Sequence, residues 1–310
     1  MGLKKKLSHL DIIIYIYGGR IDIVQDFLVW FGRKNSINTL AIQENWDNLS
    51  SKTVLFQHPK FFATWGRQSS SQLKKIHNFR GTTFEVGSLR LNEFYNSRKE
   101  VERRDLVPSI KFDDQSFYSY YFLLIGTGDA EFDYEVAESC SLSIANDPIL
   151  MDLNYKIIYR PHPYSRIHEK DHIKITRLSH LVVDKPKEFE NNTYRLSLII
   201  NSTAVIALYS TVVLEASILS KPCIIPSFID ANLAYKTSDF IDMAEHCIGT
   251  SALGGISNPE TIFEFRKILN FYSTCEPVIQ NCSDLLNWFC LDTNTNNAIV
   301  NLITYASSKD

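Results

Sequence analysis

The chain has 310 residues, of which 45% are hydrophobic and 22% are charged, so it can form one large or two modest domains with full cores. Its net charge of -3 excludes a nucleic-acid-binding protein whose affinity depends on a strongly basic surface. The six cysteines are scattered and form no Cys-x-x-Cys motif, which argues against a disulfide framework.

The first residues contain neither a signal peptide nor an apolar run of membrane-spanning length. We therefore expect a cytoplasmic protein. The basic residues Lys4, Lys5 and Lys6 could contact the anionic surface of an inner membrane, and a solvated tail is the alternative.

The first part of the chain alternates short apolar runs with helical periodicity. Apolar runs that end in glycine or a polar loop predict strands at 11–17, 38–42, 61–65 and 84–86, and helices are expected at 22–33 and 69–79. This rhythm is typical of βαβ units with a parallel sheet.

A charge-dense stretch at 96–115 has no apolar period and is predicted to be a linker. A second α/β unit follows it. Strands are expected at 118–125, 156–159, 196–200, 204–208 and 222–226, and helices at 133–145, 211–219, 259–269, 284–291 and 297–306. The predicted domains are therefore 1–110 and 111–310, and the last helices could pack back on the first domain.

The motif Arg160-Pro161-His162-Pro163 comes directly after a predicted buried strand. Its two prolines restrict the backbone around the histidine, so the imidazole projects from a stiff turn. His162 and Arg160 could donate hydrogen bonds to a phosphate. A proline-stiffened turn with a structural histidine is the alternative.

A second phosphate-binding element is predicted where Ser210 and Thr211 begin a helix. The free N–H groups and dipole of a helix N-terminus attract anions, although a plain N-cap has the same sequence. Glu215 lies one turn further on and could accept hydrogen bonds from a ribose. Ser202 and Thr203 add hydroxyl groups in the preceding turn.

Two polar loops complete the candidate site. Gly126-Thr127-Gly128 follows a buried strand and would allow a ligand to approach the backbone, but it is not a complete dinucleotide-binding motif. In the first domain, Glu44 and Asp47 flank Trp46 at a strand end and could act as a general base, or belong to an ordinary polar turn. No metal-ligand spacing is present.

The motif Tyr159-Arg-Pro-His-Pro163 resembles the HP motif of bacterial sialyltransferases, Kdo transferases and CDP-glycerol glycerophosphotransferases. Ser210-Thr211 resembles their Ser-Ser/Thr motif, and the segment 209–225 looks like the donor-binding segment of GT-B glycosyltransferases. The regions 43–52, 65–66 and 86–90 resemble the N-terminal half of surface-polysaccharide transferases.

The resemblance implies a GT-B-like α/β fold, with two Rossmann-like parallel-sheet domains facing across a cleft. The N-terminal domain of this chain departs from such families in being short. It implies that His162, Ser210 and Thr211 contact the donor phosphate and that Glu215 contacts the ribose. Glu44 lies where the sialyltransferases carry an acidic base motif, but the segment Gln43-Glu44-Asn45 keeps only one of the two acids of that motif and lacks its glycine.

The resemblance implies a metal-independent glycosyltransferase that moves a sugar from a nucleotide-activated donor to a glycan or lipid-linked glycan acceptor of the cell surface, such as capsule or lipopolysaccharide. A CMP- or CDP-linked donor is favoured, and no bound cofactor is expected. A CDP-alditol phosphotransferase, a nucleotide-sugar epimerase of the same fold and a non-catalytic transferase-like partner are the alternatives.

Overall fold

A computed structural model of the chain describes residues 10–19, 21–52, 54–104, 119–162, 169–184, 192–229, 244–248, 255–275 and 288–308. Lys4, Lys5, Lys6, Pro163 and the first half of the predicted helix 284–291 lie outside these ranges. The chain forms two compact units. The first contains the described residues up to Tyr95, Ala244–His246 and residues 288–308, and the second contains the rest.

The first unit contains a four-stranded parallel sheet in the order β1-β2-β3-β4. Its strands and helices, in chain order, are β1 (Ile12–Tyr17), α1 (Ile23–Lys34), β2 (Asn38–Gln43), β3 (Phe61–Thr64), α2 (Arg67–His77), β4 (Thr82–Glu85) and the first part of α3 (Leu89–Arg104), which continues into the second unit after Tyr95. A π-helical turn, Asn48–Lys52, follows β2.

Helix α10 (Thr295–Ser307), near the C-terminus, packs on the sheet of the first unit, where Leu302 and Ala306 join a core cluster with Phe61 and Ala63. The amide of Asn38 donates a hydrogen bond of 2.8 Å to the Ala306 carbonyl. Residues that are distant in the sequence therefore form part of the core on one face of the first sheet.

The second unit contains a six-stranded parallel sheet in the order β10-β9-β8-β5-β6-β7. Its elements are β5 (Tyr121–Ile125), α4 (Ala130–Ala145), α5 (Pro148–Asp152), β6 (Lys156–Arg160), α6 (Glu169–Thr176), β7 (Leu181–Val183), α7 (Asn192–Asn201), β8 (Ala204–Ile206), α8 (Thr211–Ile218), β9 (Cys223–Ile224), β10 (Ile256–Ser257) and α9 (Ile262–Thr274). Buried residues of β5, β6 and β8 pack against α4 and α9 to form the core.

Two predicted elements differ from the structure. The run 196–200 is not a strand but the end of α7, because a short apolar run fits a buried helix as well as a strand. The charge-dense stretch that begins at Asn96 is helical as far as Arg104, since Arg, Lys and Glu are good helix formers even without an apolar period. The remainder of the predicted linker lies outside the described residues.

Candidate functional site

The central feature of the second sheet is a reversal of strand order beside β5. After β5 the chain adds β6 and β7 on one side, and then returns to add β8, β9 and β10 on the other. In open parallel sheets, ligands bind beyond the carboxyl ends of the strands at such a switch point. Gly126, His162 and Ser210 follow β5, β6 and β8, three adjacent strands. Neighbouring strands are about 4.8 Å apart, so the three loops share one small area.

The glycine loop and the histidine turn are in direct contact. The N–H of Gly126 donates a 2.8 Å hydrogen bond to the Arg160 carbonyl. A methyl group placed on Gly126 would lie 2.9 Å from the backbone nitrogen of His162 and 3.1 Å from the Cα of Pro161. Gly128 has a φ of 91°, and a methyl group there would be 3.9 Å from Nδ1 of His162. The imidazole therefore lies beside a glycine-lined stretch of backbone.

The N-terminus of α8 provides hydroxyl groups at the same edge of the sheet. Ser210 is the N-cap residue in extended conformation, but its side chain makes no capping hydrogen bond. In the described part of the chain, neither the Ser210 nor the Thr211 hydroxyl has a hydrogen-bond partner, and both residues are half-buried. These hydroxyls and the N–H groups of the first turn are suited to bind an anion.

Asp133 stabilises the glycine loop through hydrogen bonds to Thr127. Its side chain is fully buried, and Oδ1 accepts hydrogen bonds of 2.9 Å from both the backbone N–H and the hydroxyl of Thr127. Oδ2 accepts a 2.8 Å hydrogen bond from the Tyr159 hydroxyl. Burial raises the pKa of Asp133, and the hydrogen bonds from Thr127 and Tyr159 partly oppose this effect.

Sequence reasoning missed Asp133, although its position on the same helix face as the apolar residues Val136, Ala137 and Cys140 indicates an acid with a buried partner. The bonds to Asp133 also define the role of Thr127, which the sequence placed among the donor-binding residues. Both polar groups of Thr127 are used within the loop. Gly126 is buried and Gly128 is exposed, so the loop presents the backbone of Gly128, rather than the Thr127 side chain, to the surface.

Arg160 is held in a buried ion pair. Its Nη1 lies 2.6 Å from Oδ2 of Asp184, which also accepts a 2.6 Å hydrogen bond from the Tyr194 hydroxyl through Oδ1. The guanidinium carbon lies 5.9 Å from the centre of the Tyr194 ring. Sequence reasoning identified Arg160 but not its partner. The ion pair neutralises part of its charge and fixes the strand end from which His162 follows.

Glu215 is completely buried, and its Oε1 lies 3.4 Å from Nη2 of Arg195. The apolar flanks of Glu215 in the sequence indicated a packed helix with a required partner, and Arg195 is that partner. A ribose contact through Glu215 stays a prediction, and it would need this ion pair to rearrange.

Ser202 and Thr203 lie at the opposite edge of the sheet from Ser210. They connect α7 to the first residue of β8, and the N–H of Thr203 donates a 2.8 Å hydrogen bond to the carbonyl of Tyr121, the first residue of β5. The sequence predicts Ser202 and Thr203 among the donor-binding residues, and it predicts a strand at 196–200. Since that segment is a helix, the turn after it precedes a strand and does not follow one.

In the first unit, Glu44 and Asp47 follow β2 at the carboxyl edge of its sheet. Glu44 is exposed, and its Oε2 would be 2.7 Å from a methyl group placed on Gly18, which follows β1. Asp47 forms an ion pair of 2.8 Å with Lys52. Of the two predicted bases, Glu44 therefore has the accessible carboxylate, whereas a lysine already neutralises Asp47.

His246 is a buried residue of the first unit that sequence reasoning did not identify. Its Nδ1 lies 2.8 Å from the Ser50 hydroxyl, and its ring packs edge-on against Trp46 with centroids 4.9 Å apart. Burial lowers the pKa of His246 to about 4, although the nearby charge of Asp47 opposes this shift. The neutral imidazole anchors the loop that carries Asp47.

Among the described residues, no cluster of three or more His, Cys, Asp or Glu side chains is arranged to hold a metal ion. Within the same ranges, no helix is both long and apolar enough to cross a membrane.

Several solved structures resemble the whole chain. UDP-GlcNAc 2-epimerase from Neisseria meningitidis, bound to UDP-GlcNAc, has a TM-score of 0.59 at 12% identity over 98% of this chain and 79% of that chain. UDP-GlcNAc 2-epimerase from Methanocaldococcus jannaschii has a TM-score of 0.56 at 14% identity over 97% of this chain and 79% of that chain. The wall teichoic acid polymerase TagF, in a structure with CDP-glycerol, has a TM-score of 0.53 at 13% identity over 95% of this chain and 71% of that chain. No protein-family model and no curated protein sequence matches this chain.

These similarities confirm the predicted fold. The chain consists of two parallel-sheet α/β domains and is similar to enzymes of the GT-B fold. At such low identity the similarities establish the fold alone. The narrower resemblance to HP-motif sialyltransferases and Kdo transferases stays a prediction.

Proposed function

We propose that the chain is a glycosyltransferase that binds a nucleotide-activated donor at the carboxyl edge of the second sheet. The supporting observation is that Gly126, His162 and the Ser210–Thr211 helix start lie on three adjacent strand ends at the switch point. Hydroxyls with no partner in the described ranges, a helix N-terminus and an imidazole beside the exposed backbone of Gly128 form a set of donors for a phosphate.

In the proposed reaction, the bond between the sugar and the donor phosphate breaks, and its electron pair goes to the phosphate oxygen. His162, the hydroxyls of Ser210 and Thr211 and the first N–H groups of α8 stabilise the growing negative charge. Arg160 supports His162 through its ion pair with Asp184. These donors neutralise the leaving group without a metal ion.

The acceptor hydroxyl forms the new bond to the sugar and loses its proton to a base. We assign this role to Glu44, because its carboxylate is exposed and has no hydrogen-bond or ion-pair partner within the described ranges, whereas Asp47 pairs with Lys52. A glycan or lipid-linked glycan is the proposed acceptor. A cytidine nucleotide is the favoured donor carrier, which is consistent with the CDP-glycerol bound to TagF.

A thermal-unfolding assay with CMP, CDP, UDP and GDP tests the proposed donor site. A ligand at one hundred times its Kd stabilises the folded state by about 2.7 kcal/mol, so binding is visible as a higher Tm. We expect stabilisation by cytidine nucleotides, and a weaker effect in Ser210→Ala. Ser202→Ala is the matched control, since it removes the same hydroxyl at the other edge of the sheet and should retain the full effect.

Two outcomes would contradict the assignment of the donor site. One is the absence of stabilisation by any of the four nucleotides, which would favour a non-catalytic protein of this fold. The other is equal stabilisation of wild type and Ser210→Ala together with a loss in Ser202→Ala.

Epimerisation of a nucleotide sugar is the second candidate function, because two of the similar structures are UDP-GlcNAc 2-epimerases. Incubation with UDP-GlcNAc and proton NMR of the products separates the two functions. An epimerase yields a UDP-linked sugar of changed configuration. A transferase releases free nucleotide from its own activated donor, for which a cytidine carrier is favoured, only when an acceptor is added, and His162→Ala should remove most of that release.

A further inference from the structure

A second cavity opens at the amino edge of the six-stranded sheet. Its volume is about 240 Å³, and its walls include the residues that immediately precede four strands, Tyr120, Tyr155, Thr203 and Pro222, together with Lys221. The end of α9 closes one side with Phe271 and other residues. All six strands run parallel, so this cavity and the proposed donor site lie at opposite edges of one sheet.

Lys221 gives the cavity its charge. Within the described part of the chain, its ammonium makes no hydrogen bond and no ion pair, although the residue is half-buried. Burial without a neighbouring carboxylate lowers the pKa of Lys221 to about 8. A partly desolvated cation without a counter-ion is unfavourable, and an anion in the cavity would relieve this cost.

The rest of the lining is mainly aromatic. Tyr120 stacks on Tyr155 with ring centroids 5.5 Å apart, and Tyr155 stacks in turn on Phe122 at 5.0 Å. Tyr120 and Phe271 are both exposed, at 45% and 51% of their surface. The Tyr155 hydroxyl lies 3.2 Å from the hydroxyl of Thr203. The cavity thus combines flat apolar surfaces with one cation and a few hydroxyls.

We propose that this cavity binds a small aromatic carboxylate, with the carboxylate at Lys221 and the ring against Tyr120 and Phe271. One ammonium matches one negative charge, and the aromatic walls favour a planar body. Typical ligand sites have volumes of roughly 300–1,000 Å³, so a cavity of this size suits a single ring and not a nucleotide. The proposal does not depend on the function assigned to the other edge.

Titration with benzoate tests the proposal, and benzamide serves as the uncharged analogue of the same shape. We expect benzoate to bind wild type roughly tenfold more tightly than benzamide, because only benzoate can form a charge-assisted hydrogen bond with the ammonium. Lys221→Met retains the apolar stem and removes the charge. It should reduce benzoate affinity to the level of benzamide, with circular dichroism confirming the fold.

Cysteine alkylation locates the bound benzoate on the wild-type protein. Cys275 is an exposed free thiol that lines the cavity, whereas Cys290 in the first unit is half-buried and serves as an internal control. Peptide mass spectrometry should show that benzoate slows alkylation of Cys275 and not of Cys290. This readout does not require any variant to fold.

Three results would overturn the proposal. The first is no benzoate binding by wild type at millimolar concentration. The second is equal benzoate affinity in wild type and Lys221→Met, which would mean that the lysine stem only covers apolar surface. The third is loss of benzoate binding in His162→Ala, or displacement by CDP, which would place benzoate in the proposed donor site.

Discussion

The substitution Gly126→Ala tests whether the contact between the glycine loop and the histidine turn shapes the donor site. The added methyl group would lie 2.9 Å from Oδ2 of Asp133 and 2.9 Å from the backbone nitrogen of His162. Neither neighbour is the free end of a flexible side chain, since the carboxylate is buried and held by the Tyr159 hydroxyl. The histidine turn must therefore move away from the loop.

Overpacking of this kind costs about 1–3 kcal/mol. For a domain of this size, a loss of about 2 kcal/mol lowers Tm by roughly 4–8 °C. If the displaced His162 also loses a charge-assisted hydrogen bond to the phosphate, the affinity for nucleotide falls by about tenfold to hundredfold. Calorimetric titration with CDP, at a temperature where both proteins are folded, measures this change.

Gly32→Ala is the matched control for the loss of stability. A methyl group on Gly32 would lie 2.5 Å from Cγ2 of Thr39 and 2.9 Å from the Ile37 carbonyl, all within the first unit. It should reduce stability to a similar extent and leave CDP affinity unchanged. Equal CDP affinities in Gly126→Ala and wild type would show that this contact does not position His162.

Three further substitutions test buried groups that stabilise the proposed donor site and the loop that carries Asp47. Asp133→Ala leaves the N–H of Thr127 and a buried tyrosine hydroxyl without their acceptor, so urea unfolding should show a loss of about 2–4 kcal/mol; a loss near zero would contradict the network. Asp184→Ala leaves Arg160 buried without its carboxylate and should cost about 3–5 kcal/mol in the same assay, whereas a wild-type midpoint would show that the ion pair is unimportant. Burial lowers the pKa of His246 to about 4, so its stabilising contribution is complete above pH 6.5 and declines as the pH falls. Between pH 6.5 and 4, the free energy of unfolding of wild type should fall by on the order of 3 kcal/mol more than that of His246→Asn. Parallel pH profiles of the two proteins would contradict this prediction.

The proposed base is tested separately by Glu44→Gln and Asp47→Asn in a transfer assay. Glu44→Gln keeps the size of the side chain and removes its ability to accept a proton, so turnover should fall by roughly a hundredfold or more with little change in donor affinity. Asp47→Asn should lose less activity, because Lys52 already neutralises that carboxylate. The reverse order of the two effects would assign the base to Asp47.

The sequence predicted the fold well because its parallel strands are apolar runs that end in glycine or polar loops. The run before Gly18 and the run before Gly126 are both strands of the structure, and the helices at 133–145 and 211–219 are present with small differences at their ends. Buried parallel strands carry their signal locally, in composition and in the residues that end them. The contribution of α10 to the first sheet depends instead on contacts between distant residues.

The candidate site was predictable to the extent that its residues follow strands. His162 and Ser210 follow correctly identified strands, and the structure brings both to one edge of the sheet. The predicted position of Ser202 is wrong, because the apolar run before it forms a helix and not a strand. The turn after that helix lies at the amino edge of the sheet, whereas a turn after a strand would lie at the carboxyl edge. Partners such as Asp133 and Asp184 could not be paired from spacing, since the fold alone brings them to Tyr159 and Arg160.

A crystal structure of the protein with CDP would show whether the donor site lies at the carboxyl edge of the second sheet. We predict that the diphosphate lies over the Gly126–Gly128 backbone, within hydrogen-bonding distance of the His162 ring and the Ser210 hydroxyl. A nucleotide bound at any other place on the chain, or a diphosphate that contacts neither of these side chains, would contradict the proposed donor site.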